Sequence, residues 1–93
     1  MSDEKFASVW DAISDSPAEA ENMKLRSSLM IALSEHIKRQ GLTQAQAARL
    51  LGVSQPRVSD LNRGKIDLFS IDTLVNMLAA AGLRVEVQIA KAA

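Results

Sequence analysis

Apolar residues recur at helical spacing over most of the chain and then, near its C-terminus, switch to strict alternation. Phe6, Val9, Trp10 and Ile13 stand at i, i+3, i+4 and i+7, one face of a short amphipathic helix. Ser16-Pro17-Ala18-Glu19 has the form of a capping box: Ser16 caps the first amides, Pro17 sits where no donor is needed, and Glu19 returns to the cap. From there Met23, Leu25, Leu29, Met30, Leu33 and Ile37 form a stripe through about six turns, ending at Gly41, which suits a left-handed stop. Thr43-Gln44-Ala45-Gln46 repeats the box and opens a third helix to Leu51. Gly52 breaks the chain, Ser54 caps a fourth helix that tolerates Pro56 in its first turn, and Gly64 closes it. Ser70 caps a fifth, which carries Ile71, Leu74, Val75, Leu78 and Ala79 to Gly82.

Beyond Gly82, Leu83, Val85, Val87 and Ile89 alternate with Arg84, Glu86, Gln88 and Ala90, the period-two pattern of a half-buried strand. No second strand pattern exists in the chain. A lone strand leaves its backbone donors and acceptors unpaired, so the simplest partner is a second copy of itself. Leu83, Val85, Val87 and Ile89 are accordingly expected to form a dimerisation strand across a two-fold axis.

Composition narrows the chemistry. With 93 residues there is room for one module and one modest core. Only Phe6, Phe69 and Trp10 are aromatic, so aliphatic residues and methionine must build that core. Absence of cysteine excludes disulfides, thiolate metal sites and a thiol nucleophile, and the single His36 cannot make a multi-histidine metal site. No constellation of nucleophile, base and metal ligand accompanies His36, so no catalytic residue, metal or cofactor is expected. No stretch approaches the roughly 20 apolar residues of a membrane span, and no basic leader precedes an apolar run, which makes the cytoplasm the expected location.

Net charge is zero, from 11 basic and 11 acidic residues, but the charges are segregated. Residues 1–22 hold six acidic residues against Lys5, a net of −5, whereas residues 38–65 hold six basic residues against Asp60, a net of +5. Attraction to phosphate depends on the local field rather than on the sum. The middle of the chain is therefore where a polyanion would be met.

Residues Gln44 to Arg63 describe a helix, a tight turn and a second helix crossing it steeply. Ala48 is small where the second helix crosses, Gly52 allows the turn, and Val53, Val58 and Leu61 bury themselves against the first helix. At about 100° per residue, Pro56, Ser59, Asp60 and Arg63 then cluster opposite Val58 and Leu61, with Gln55 and Arg57 flanking them. Here the sequence resembles the helix-turn-helix of the Cro and phage-repressor type, the Xre family. The resemblance covers residues 43–82, with Gln44 opening the first helix, Gln55 opening the second, and Asn62-Arg63-Gly64-Lys65 as the exit.

Taken with the helices and strand read above, that resemblance points to a mainly α fold: a five-helix lambda-repressor-like helix-turn-helix domain with one C-terminal β-strand expected to pair across a homodimer. Residues 1–42 would form an N-terminal helical segment on the same core, 43–82 the helix-turn-helix region and following helix, and 83–93 the dimerisation strand and tail. It also implies double-stranded DNA as the partner, with Gln44 and Gln55 supporting docking and Ser54, Ser59 and Asp60 near base edges in the major groove. Pro56 departs from the polar residue often found at its position and offers apolar contact to a thymine methyl. Arg63 and Lys65 fit phosphate; Arg57 fits either guanine or phosphate. Asp60 fits a cytosine amine or an ion pair with Arg57 or Arg63 one turn away.

Two functional expectations follow from the resemblance. One is a homodimeric repressor on an inverted-repeat operator. The other adds a protein partner met by the acidic N-terminal segment and the long helix, because Ser54 to Leu61, Leu68-Phe69-Ser70 and Val85-Glu86-Val87 resemble antitoxins paired with toxins related to RelE and HigB. In that case DNA binding would serve autoregulation. An isolated gene would instead fit a stand-alone Xre-type repressor.

Overall fold

The computed structural model describes residues 16–91. Four α-helices follow one another: α1 (Pro17–Arg39), α2 (Gln44–Leu51), α3 (Gln55–Asn62) and α4 (Ile71–Ala80), with a short 3-10 turn at Ile66–Leu68 between the last two. The 23-residue α1 spans α3, the 3-10 turn and α4, while α2 packs on α3 and α4. The sequence specifies these starts through caps. Ser16 Oγ accepts the Glu19 amide at 3.1 Å. Thr43 and Gln46 complete a reciprocal box, with the Gln46 amide on Thr43 Oγ1 at 3.1 Å and the Thr43 amide on Gln46 Oε1 at 2.9 Å. Ser54 Oγ accepts the Arg57 amide at 3.3 Å, and Ser70 Oγ the Thr73 amide at 3.1 Å.

The stops share one geometry. Gly41, Gly52, Gly64 and Gly82 all have positive φ. The amide of each following residue donates to a carbonyl five positions back: Leu42 to Ile37, Val53 to Ala48, Lys65 to Asp60 and Leu83 to Leu78. Leu42, Val53 and Leu83 turn this bond into a packing contact with the core. Lys65 is the exception, a charged residue at a place where the other three stops put an apolar one.

The core is a single cluster drawn from every helix. Leu33, Ala47, Val58 and Leu74 are completely inaccessible, and Phe69 from the loop before α4 joins them. Most of the expected α1 stripe is confirmed, with one correction: Leu25 is exposed. It stands about 80° of helical rotation away from Leu33, at the edge of the face that packs.

The expected five helices with a C-terminal strand do not hold. Among the described residues there are four α-helices and no β-strand; the helix expected over Phe6–Ile13 lies outside the described residues. Residues 83–91 carry no regular structure. Leu83 and Val85 are half-buried against the chain's own core, whereas Val87 and Ile89 are 72% and 88% exposed. The alternation of Leu83, Val85, Val87 and Ile89 thus has a local cause at its start, packing of the first two side chains on the core, and the segment takes no strand conformation within the chain.

Two stability outcomes are expected. Ending the chain after Gly82 should lower the melting temperature measured by circular dichroism, whereas ending it after Glu86 should leave it nearly unchanged. Gly52→Ala should cost about 1 kcal/mol in urea unfolding, because the left-handed backbone disfavours a Cβ, not because of crowding, as no atom lies within 4 Å of where that Cβ would stand.

Candidate nucleic-acid interface

Helix α3 is divided between a buried and an exposed arc. Val58 and Leu61, at 0% and 1% exposure, fasten it to the core. Ser54, Gln55, Pro56 and Arg63 are exposed on the other side, with Ser59 and Asp60 half-buried between them. Gln44 is exposed at the start of α2, the helix packed directly against α3. At the exposed amino end of α3 the Arg57 amide is taken by Ser54 and Pro56 has no N–H, so what favours an anion there is the positive end of the helix dipole rather than a set of free amides.

Two of the sequence-selected charges have partners that spacing alone does not reveal. Asp60 pairs with Lys65, Nζ to Oδ1 at 3.5 Å, rather than with Arg57 or Arg63. The same two residues are joined by the Lys65 amide on the Asp60 carbonyl at 3.1 Å. The left-handed turn at Gly64 brings them together, folding the chain back so that Lys65 reaches a residue of the preceding helix. Both ends of the ion pair remain partly solvated, so it contributes at most about 1 kcal/mol. It does offset the single acidic group on an otherwise neutral-to-basic face.

Arg57 lies over Phe69, its guanidinium carbon 4.3 Å from the ring centroid. That distance is well inside the range of a cation–π contact. It is half-buried there, at the flank of the exposed arc.

Phe69 and Arg26 are residues that reading of the motif misses. From the middle of α1, Arg26 Nη1 donates to the carbonyls of Ile66 and Phe69, both at 3.3 Å, and Nε donates to Asn22 Oδ1 at 2.7 Å. This side chain ties the loop between α3 and α4 to the long helix. A signal for it exists in the sequence: Arg26 falls between Met23 and Leu29 on the apolar face, where a cation requires a partner. Phe69 carries no comparable signal, because an aromatic residue ahead of a helix reads simply as core.

Residues 12–90 match a family described as a helix-turn-helix domain. A solved structure described as an XRE family transcriptional regulator superposes with a TM-score of 0.73 at 39% sequence identity, covering 80% of this chain and 83% of that chain. The chain belongs to the XRE-type helix-turn-helix family. No curated protein matches it. As in the helix-turn-helix expected from the sequence, α2 and α3 of this XRE-type domain are the paired helices and Gly52 sits in the turn between them. Neither match names a toxin or an antitoxin. Among the described residues no helix is long and apolar enough to cross a membrane.

Because Arg26 holds two loop carbonyls from a partly buried position, Arg26→Met is expected to lose about 1 to 3 kcal/mol of stability by urea unfolding. Hydrogen exchange should show the loss of protection concentrated in residues 64–70; a uniform loss would separate Arg26 from that loop.

Proposed function

We propose that the chain is a sequence-specific, double-stranded DNA-binding transcriptional regulator that acts as a repressor. The observation that carries this is the exposed polar arc of α3, held by Val58 and Leu61 against α2 in a helix-turn-helix. The amino-terminal half of α3 enters the major groove in this account. Gln55 and Ser59 contact base edges, and Pro56 packs on a thymine methyl. Gln44 supports docking, Arg63 and Lys65 hold phosphates and set the register, Ser54 lies near the base edges, and Asp60 accepts from a cytosine amine or keeps Lys65 in place. An eight-residue helix meets few base pairs, so a homodimer on an inverted repeat, with half-sites about one helical turn (~34 Å) apart, supplies the remaining specificity.

The partner-binding alternative is supported by the charge segregation. Residues 1–22, with a net charge of −5, suit a basic protein partner such as a RelE- or HigB-like toxin, leaving the basic middle for the promoter of the shared operon. Co-expression with the adjacent reading frame, followed by affinity purification of the tagged chain, separates this autoregulatory antitoxin from a stand-alone repressor. A stoichiometric small basic protein marks the first, and its absence the second.

DNA binding is tested by enrichment of duplexes from a randomised pool, followed by fluorescence anisotropy across a salt series. An inverted repeat bound far more tightly than a scrambled duplex is expected. Equal affinity for both removes sequence-specific regulation from consideration. Asp60→Asn should tighten binding to the scrambled duplex severalfold, since it removes the one carboxylate of the face and releases Lys65.

A further inference from the structure

The Arg57 guanidinium lies over the Phe69 ring, its central carbon 4.3 Å from the centroid, yet among the described residues its N–H groups have no hydrogen-bond partner; the hydrogen bond at this residue is made by its backbone amide. A planar guanidinium stacked on a ring keeps its donors at the edge, in a fixed plane. Phe69 is itself 1% exposed, and its carbonyl is held by Arg26 from α1. The platform under Arg57 is therefore immobilised by the core and by a side chain outside the motif. Arg57 stands at the flank of the exposed arc of α3, in its first turn, close to the amino end that favours an anion.

Given the DNA-binding role above, we propose that Phe69 is a positioning residue for DNA recognition: its ring fixes the Arg57 guanidinium so that the free N–H edge meets an acceptor on the duplex. A free arginine side chain would have to be ordered on binding, and stacking removes most of that entropic cost beforehand. The surface that contacts DNA is thus set in part by a buried residue beyond the recognition helix.

A double-mutant cycle tests this, using anisotropy on the duplex that the wild-type protein enriches from a random pool and on a scrambled duplex. Phe69→Leu fills the core but removes the ring face. It should weaken operator binding by about threefold to tenfold, and it should add nothing to the loss caused by Arg57→Ala. Arg57→Lys keeps the charge without the planar edge, and should lose most of what Arg57→Ala loses. This second variant does not depend on core packing, so it can still overturn the proposal if Phe69→Leu unfolds. Full multiplication of the two losses, or an Arg57→Lys protein that binds like wild type, would overturn the proposal while leaving operator binding intact. A wild-type protein that enriches no duplex would instead bring down the regulator assignment itself.

Discussion

Two small side chains at the crossing of α2 and α3 are the constraint on which the rest depends. Ala47 is inaccessible and Ala48 nearly so, and they let α3 come close enough for Val58 and Leu61 to reach the core. A larger residue at Ala47 would overpack a fully enclosed position in the core cluster that also holds Val58 and Leu74. The left-handed turn at Gly52 and the Val53 amide on the Ala48 carbonyl at 3.0 Å then set the angle at which the chain reverses. Everything exposed on α3 inherits its direction from those contacts.

A second layer of constraint lies outside the helix pair. Arg26 reaches across from α1 to hold the carbonyl of Ile66, which opens the 3-10 turn, and that of Phe69, which follows it, and Phe69 in that segment supports Arg57. Lys65, the polar exception among the four helix stops, sits on Asp60. The loop after α3 is thus joined to the long helix on one side and to the exposed face on the other. A short segment connects the scaffold to the chemistry.

Much of this was legible in the sequence where local rules dominate. The caps at Ser16, Thr43, Ser54 and Ser70 and the stops at the four glycines mark the helix ends to within a residue or so, because capping is a matter of a few neighbouring groups. The division of α3 into Val58 and Leu61 against Gln55, Pro56, Ser59 and Arg63 follows from helical periodicity alone. What failed depended on tertiary context. Leu83 to Ile89 alternate as a strand would, yet alternation says only that one side is buried, and here Leu83 and Val85 found their own core. Leu25 resembled a core residue by type but stands at the edge of the packed face. Asp60 was matched to neighbours at helical spacing, when the chain reversal after Gly64 delivered Lys65 instead. Arg57 on Phe69 joins residues on either side of that reversal, and no pattern of spacing encodes it.

The two arcs of α3 have different freedom to change. Substitutions at Gln55 and Pro56 meet solvent rather than the core, so the face they form is open to drift without loss of the fold. Arg57 is not free in this sense, being bound to a residue that also fills the interior. Descendants of this domain that diverge in what they recognise would therefore be expected to vary at the outer positions first, and to alter Arg57 only together with Phe69.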